Sequence, residues 1–100
     1  MSASPEAAER RAARRQRVLK RGKIVAAASL DSSIDVTIRD MSETGAKLKL
    51  QAPMILPTFF DVVIVTDNLL YPSRLAWQRS ELVGVSFTGP PKPVHLRRYL

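Results

Sequence analysis

The chain reads IDVTIRDMSETGAKLKL over residues 34–50, and this stretch decides the fold. Apolar residues occupy every second position in both of its halves: Ile34, Val36, Ile38, Ala46, Leu48 and Leu50. Because successive side chains of a strand point to opposite faces, each half predicts a strand with one buried and one solvated face. The polar segment 40–45 predicts the connection between the two strands.

Short apolar segments on both sides of this stretch predict the rest of a small β-protein. Residues 23–30 form an apolar run that ends at a turn cluster, and residues 59–65 are the most strongly β-forming segment. Residues 69–78 and 82–87 predict two further strands, with Pro72 indicating an edge strand or a bulge in the first of them. Five or six short strands separated by turns favour a small antiparallel barrel or a sandwich.

The two ends of the chain differ from this pattern. Residues 9–17, ERRAARRQR, have almost no large apolar side chain with which to dock on a core. We therefore expect residues 1–21 to form a flexible arm and residues 22–100 to form the barrel domain. The last residues, 95–100, predict a short helical turn packed on the barrel.

The composition limits the possible functions. One hundred residues suffice for a single domain with one core. The absence of cysteine excludes disulfides, thiolate zinc sites and cysteine nucleophiles, and the single histidine, His95, leaves little room for a histidine metal site. The carboxylates are scattered singly, and Ser42 and Ser80 have no activating partner nearby in sequence. We therefore expect neither an enzyme nor a metal site.

The charge of the chain points to an anionic partner. A net charge of +7 predicts attraction to nucleic acid, to an anionic membrane surface or to a phosphorylated small molecule. No apolar run is long enough to cross a bilayer, and the N-terminus lacks the pattern of a secretory signal. We expect a cytoplasmic protein that does not insert into membranes.

Two polar motifs carry the chemistry. The first is a run of arginines that contains two overlapping pairs at the spacing Arg-x-x-x-Arg: Arg10 with Arg14, and Arg11 with Arg15. Arginine presents a planar fork of donors that binds a phosphate or a guanine edge through two hydrogen bonds. The second motif, Asp-x-Ser-x-x-Gly, consists of Asp40, Ser42 and Gly45. In it, glycine supplies a positive φ or room for a close approach. Taken singly, the first motif also fits a solvated helix face and the second a satisfied turn.

In this order and at this separation, the two motifs resemble the PilZ domain, a family of bacterial receptors for the second messenger cyclic di-GMP. Three further features are similar to that family: the sequence of residues 40–48, the aromatic Trp77 at a strand end, and the segment VGVSF at 83–87. The resemblance covers roughly residues 9–90. It implies a six-stranded antiparallel β-barrel with a C-terminal helix, and an arginine arm that closes over the Asp-Ser-Gly loop with the ligand between.

The resemblance also implies roles for the residues of the two motifs. The pair Arg11 and Arg15 is preferred because it leaves the usual distance to the first strand, whereas Arg10 with Arg14 is the other register. Arginine at the position before the preferred pair, here Arg10, accompanies two stacked cyclic di-GMP molecules in the family. Binding would be coupled to ordering of residues 9–17.

Each residue of the loop would contribute one contact. The carboxylate of Asp40 would accept hydrogen bonds from a guanine edge, Ser42 would add a hydroxyl bond, and Gly45 would let the ligand approach the backbone. Tyr71 and Trp77 are interpreted as core or barrel-rim residues rather than as a stacking platform, and His95 as a surface residue.

The partner that receives the signal is not identified by the sequence. The family suggests a flagellar motor part, a polysaccharide synthase or a regulator, and hence control of motility, exopolysaccharide or biofilm. Two alternatives remain open. A basic β-barrel that binds single-stranded nucleic acid directly is less favoured, because the charge is concentrated in an arm and paired exposed aromatics are few. An adaptor of this fold without a ligand is disfavoured by the intact motifs.

Overall fold

A computed structural model describes residues 16–26 and 33–94, and these form a β-barrel. The strands, in chain order, are β1 Gln16–Val25, β2 Ile34–Met41, β3 Gly45–Leu50, β4 Phe59–Ile64, β5 Leu69–Arg79, β6 Leu82–Phe87 and β7 Lys92–Pro93. A 3-10 turn at Val65–Asp67 joins β4 to β5. The predicted all-β class is confirmed.

Six of the strands close into a ring. Every pairing is antiparallel, and the order around the barrel is β1, β2, β3, β6, β5, β4 and back to β1. The two-residue β7 adds to β5 beside Leu69 and Leu70. Closure pairs the backbone edges that an open sheet would leave free. The predicted six-stranded antiparallel barrel is therefore confirmed.

The interior of the barrel is filled by the alternating apolar residues. Six of the buried side chains lie on β2, β3 and β6, at the alternating apolar positions of the sequence: Val36, Ile38, Leu48, Leu50, Val83 and Val85. Leu56, in the connection between β3 and β4, joins the same cluster. The period of two in the sequence thus reports the inner face of the barrel.

The first strand begins earlier than the sequence predicts. It starts at Gln16 rather than at Lys23, so the predicted boundary between arm and barrel, at residues 21 and 22, lies inside β1. Two features explain why the sequence does not predict the first half of this strand. Its first half is mostly polar, with only Val18 packed on the core, and its pairing with β2 shifts between Arg17 and Lys20, which interrupts the alternation. Residues 1–15, 27–32 and 95–100 lie outside the described part, and the predicted C-terminal turn falls among them.

Pro72, which predicted an edge strand or a bulge, lies in a strand that carries a bulge between Leu75 and Trp77 but that is not at an edge of the barrel. Pro72 lies opposite Asp61 of β4, within a strand that has neighbours on both sides. On its other side, β6 pairs with β5 only from Ser73 onward and β7 pairs only with Leu69 and Leu70. The position at which proline lacks an N–H therefore lies in the gap between the end of β6 and β7, where no ladder hydrogen bond is lost.

Core packing makes a direct prediction about stability. Leu48 is fully buried, whereas Lys49 beside it points to solvent. Replacing Leu48 by alanine should lower the free energy of unfolding by about 2–5 kcal/mol, because a cavity opens in the barrel. Lys49→Ala should change it by less than about 0.5 kcal/mol. Urea unfolding followed by circular dichroism measures both, and equal losses would contradict the assigned faces of β3.

Candidate functional site

The structure brings Asp40, Ser42 and Gly45 together on one hairpin. Asp40 lies near the end of β2, Ser42 in the turn, and Gly45 begins β3. The turn is short because Met41 and Ala46 already pair across it. The motif is therefore a tight hairpin end rather than an open loop.

The hydroxyl of Ser42 shapes this turn. Its Oγ accepts hydrogen bonds from the backbone N–H groups of Thr44 and Gly45, both at 3.2 Å. The backbone N–H of Ser42 donates to the carbonyl of Gly45 at 2.9 Å. A serine hydroxyl has two acceptor positions and one proton to donate, so both acceptor positions are engaged inside the hairpin. Ser42 thus has a structural function that is independent of any ligand.

Gly45 is required by the neighbouring strand. A Cβ built on Gly45 would overlap the carbonyl oxygen of Val85 in β6. The φ angle of Gly45 is not positive, so of the two reasons that the sequence offered for a glycine, only the close approach applies. That approach is to the backbone of the barrel itself.

Asp40 is the charged residue of the motif, and its side chain lies on the outer face of the barrel. Its Oδ2 lies 3.2 Å from the Nζ of Lys47, the residue directly opposite on β3. On the other side, the Cα of Arg17 in β1 is the register partner of Asp40. The side chain of Asp40 keeps 17% of its surface exposed. One carboxylate thus lies between two cationic residues on the outer surface of the barrel.

The line of directly opposed residues that contains Arg17 and Asp40 continues across the surface of the barrel. Lys47 lies opposite Gly84 of β6, and Gly84 lies opposite Trp77 of β5. Directly opposed residues project from the same face of a sheet, so we define the binding row as Arg17, Asp40, Lys47, Gly84 and Trp77. Strands are about 4.8 Å apart, which gives the row a length of about 19 Å along the curved surface.

Register shifts turn the row outward. The described pairings contain three such shifts, between Arg17 and Lys20, between Ile38 and Asp40, and between Leu75 and Trp77. Each of them adjoins a member of the binding row. Bulges are common beside functional sites because the extra residue re-aims the side chain that follows it.

The effect of the shifts is clearest at Asp40 and Trp77. Ile38 and Leu75 face the core, and an unbroken alternation would point the residues two positions later, Asp40 and Trp77, to the same inner face. The extra residues Arg39 and Ala76 reverse this orientation. A carboxylate and an indole that regular strands would bury are therefore presented to solvent.

The indole of Trp77 lies on the backbone of Gly84. A Cβ at Gly84 would overlap the indole ring at Nε1, so the glycine leaves the space in which the ring rests. Trp77 is nevertheless 42% exposed. Of the two positions that the sequence suggested for it, the core is therefore excluded and the barrel rim is not, and Trp77 forms an aromatic surface at one end of the binding row.

The arginines of the arm lie outside the described residues. Arg10, Arg11, Arg14 and Arg15 all precede Gln16, the first described position. Gln16 pairs with Met41 at the end of β2, next to the hairpin. The chain therefore enters the barrel beside the Asp-x-Ser-x-x-Gly motif.

Sequence reasoning missed Arg17, Lys47, Gly84 and Trp77 as members of one surface. The signal for the pair Trp77 and Gly84 was present in the turn at Ser80 and Glu81, which makes Arg79 and Leu82 partners. Counting outward from that turn places Gln78 opposite Val83 and then Trp77 opposite Gly84. The bulge at Ala76 was not visible in the residue pattern.

Two features are absent from the described part of the chain. Within residues 16–26 and 33–94, no three His, Cys, Asp or Glu side chains are grouped as a metal site would need. The same residues contain no helix with the length and apolar character that crossing a bilayer requires.

Comparison with known proteins gives one match. The family model described as PilZ domain matches residues 9–100, which is nearly the whole chain and includes the arginine run. A comparison with curated proteins finds no match.

The hairpin geometry predicts a stability effect at Gly45. Gly45→Ala should lower the melting temperature by several degrees, about 4–8 °C per 1 kcal/mol for a domain of this size, because the new methyl group meets the Val85 carbonyl. Gly89→Ala is the matched control, since a Cβ there meets only Pro72 at an ordinary 3.7 Å. Thermal unfolding by circular dichroism compares them, and an unchanged midpoint for Gly45→Ala would refute the close approach.

Proposed function

This chain belongs to the PilZ domain family, and we propose that it is a receptor for cyclic di-GMP that binds its ligand on the binding row beneath the arginine arm. The observation that carries the proposal is the set of register shifts, which present Asp40 and Trp77 on the surface in one line with two cationic residues. PilZ domains are cyclic di-GMP binding domains. The proposal therefore concerns where and how this chain binds the dinucleotide.

Asp40 supplies the selectivity for guanine in this proposal. A guanine presents two adjacent donors, N1–H and the N2 amine, which match the two oxygens of a carboxylate. An ionised carboxylate has about four acceptor positions, so Asp40 can keep its contact with Lys47 and still accept from a base. Adenine has an acceptor at N1 in place of this donor, so it would offer the carboxylate at most one hydrogen bond and would set a lone pair against it.

Trp77 and Arg17 supply two further kinds of contact. The exposed indole offers a surface on which a guanine can stack, and stacking of a base on an aromatic side chain contributes about 1–3 kcal/mol. The guanidinium of Arg17 offers two parallel donors to a phosphate oxygen pair. A dinucleotide with two guanines and two phosphates presents the matching groups.

The arm closes the site in this proposal. Arg15 adjoins Gln16 and therefore serves the Arg17 end of the row. The five residue steps from Arg11 to Gln16 span at most about 18 Å, so Arg11 can extend along most of the row. Arg11 and Arg15 would bind phosphates or guanine O6 and N7. Arg10 would contact a second cyclic di-GMP stacked on the first, and Ser42 and Gly45 would hold the hairpin that carries Asp40.

The signal is the ordered arm. Capture of the arginine segment on the ligand changes the surface beside the hairpin, and a partner protein recognises the changed surface. The partner belongs to a process such as motility or exopolysaccharide production in the bacterial cytoplasm. The chain acts by binding in this scheme, without catalysis.

Substitutions in the row test the site. Asp40→Asn keeps the shape of the side chain but replaces an acceptor by a donor group, and it should weaken cyclic di-GMP binding by at least about tenfold, since hydrogen bonds to a charged group contribute about 1.5–3 kcal/mol. Arg15→Ala should have a similar effect. Lys49→Ala, on the outer face of β3 but outside the row, is the control. Isothermal titration calorimetry gives the affinities, and an unchanged Kd for Asp40→Asn would overturn the site.

The same titration tests the stoichiometry and the nucleic-acid alternative. The wild-type chain should bind two dinucleotides, and Arg10→Ala should bind one. One ligand per wild-type chain would remove the role of Arg10 but keep the site. A short single-stranded oligonucleotide should bind weakly and lose its affinity steeply with salt. Tight binding of the oligonucleotide without binding of the dinucleotide would replace the receptor by a nucleic-acid-binding barrel.

A further inference from the structure

Most of the large apolar residues that the described surface exposes lie in one place. Five such residues are exposed in residues 16–26 and 33–94, and four of them lie on β5 or next to it: Met54, Ile55, Phe59 and Trp77. We define these four as the apolar strip. A cluster of this kind on a protein surface commonly marks an interaction site, whereas single exposed apolar residues do not.

The strip is held in place by hydrogen bonds to backbone carbonyls. The backbone N–H of Leu75 donates to the carbonyl of Thr58 at 2.8 Å, and the side-chain Nε2 of Gln78 donates to the carbonyl of Met54 at 2.6 Å. Leu56 lies in the same connection between β3 and β4, and its burial in the core cluster fixes that connection to the barrel. Ile55 is nevertheless 98% exposed. The fold thus fixes this connection and leaves its isoleucine protruding into solvent.

Basic side chains accompany the strip. Arg74 lies directly opposite the exposed Phe59, and Arg79 lies further along the same face of β5. Neither arginine takes part in the ion pairs found in the described residues. The acidic residue closest along β4 is Asp61, and its carboxylate lies in the field of Lys92. The surface therefore combines protruding apolar groups with two arginines that are outside these ion pairs.

We propose that the apolar strip with Arg74 and Arg79 binds peripherally to the surface of an anionic membrane. Ile55, Phe59 and Trp77 would enter the boundary between headgroups and acyl chains, where aliphatic and aromatic side chains are stabilised. The arginines would remain at the level of the anionic headgroups, and each basic residue near such a surface strengthens binding about fivefold. The net charge of +7 adds a longer-range attraction.

Two features favour a bilayer over other occupants. The strip lies on the convex outside of a barrel, and Ile55 protrudes from it, whereas a docked helix uses a groove. A second copy of the chain would bring Arg74 and Arg79 against their own counterparts, and like charges oppose that association. An anionic lipid surface follows a convex shape and carries the complementary charge.

Vesicle binding tests the proposal with the full chain and without nucleotide. The vesicles contain phosphatidylcholine alone, or phosphatidylcholine with about one quarter phosphatidylglycerol. Co-sedimentation gives the bound fraction, and the emission of Trp77, the single tryptophan of the chain, reports entry into an apolar environment. We expect binding and a blue shift only with the anionic vesicles, and weaker binding as NaCl rises from about 0.05 M to about 0.5 M.

Paired variants distinguish membrane binding through the apolar strip from a general electrostatic attraction of the basic chain to the vesicles. Ile55→Ser with Phe59→Ser should reduce partitioning about tenfold or more, and Arg74→Gln with Arg79→Gln about 25-fold. The matched controls lie on β1, which does not pair with β5: Leu19→Ser, an apolar residue that is 80% exposed, and Arg21→Gln. Each control should change partitioning by less than the corresponding strip variant. All replaced residues are exposed, and thermal unfolding confirms that the variants fold.

Two results would overturn the proposal. If the wild-type chain does not bind the anionic vesicles at low salt, the strip is not a membrane surface and an acidic protein becomes its better partner. If the strip variants bind as the wild-type chain does, the attraction comes from elsewhere in the chain, such as the arginine run. Trp77 belongs to both surfaces, so the cyclic di-GMP affinity of the Ile55 and Phe59 variants is measured separately. An unchanged Kd in these variants assigns Ile55 and Phe59 to the strip and not to the ligand site.

Discussion

A β-strand alternates its side chains between two faces, and the site of this protein depends on the places at which the barrel breaks that alternation. Asp40 follows an inward-facing isoleucine by two positions, and Trp77 follows an inward-facing leucine in the same way. The extra residues Arg39 and Ala76 turn both side chains outward. Without these bulges, a carboxylate and an indole would compete for space in the core, and the outer surface would lack its acceptor and its aromatic ring.

The hairpin between β2 and β3 maintains this arrangement. A slip of one residue would exchange the inner and outer faces of a strand, so the register must be fixed at the turn. Ser42 fixes it through the hydrogen bonds that its hydroxyl accepts, and Gly45 fixes it by lying against the Val85 carbonyl. The motif Asp-x-Ser-x-x-Gly therefore combines two residues that hold the register with one, Asp40, that the register presents to a ligand.

The regular parts of the fold could be predicted from the sequence. The alternation around residues 34–50 gave the first hairpin, and β4, β5 and β6 lie within a residue or two of their predicted positions. The start of β1 could not be predicted, because its polar first half buries little except Val18. The binding row as a whole could not be predicted either, although the turn at Ser80 and Glu81 indicates the pair Trp77 and Gly84. A bulge is set by tertiary pairing and leaves the pattern of apolar residues almost unchanged. Asp40 was identified through its motif, whereas the sequence left Trp77 between the core and the barrel rim.

The most direct test of the account is a titration of isotope-labelled protein with cyclic di-GMP, followed by two-dimensional ¹H–¹⁵N spectra. The account predicts that the largest shifts fall on the amides of Arg17, Asp40, Lys47 and Gly84 and on the indole N–H of Trp77, which is a single resolved signal because the chain has one tryptophan. Shifts that avoid this row while the ligand binds, for example a set confined to β4 and β7, would contradict the central claim that register shifts present the ligand surface.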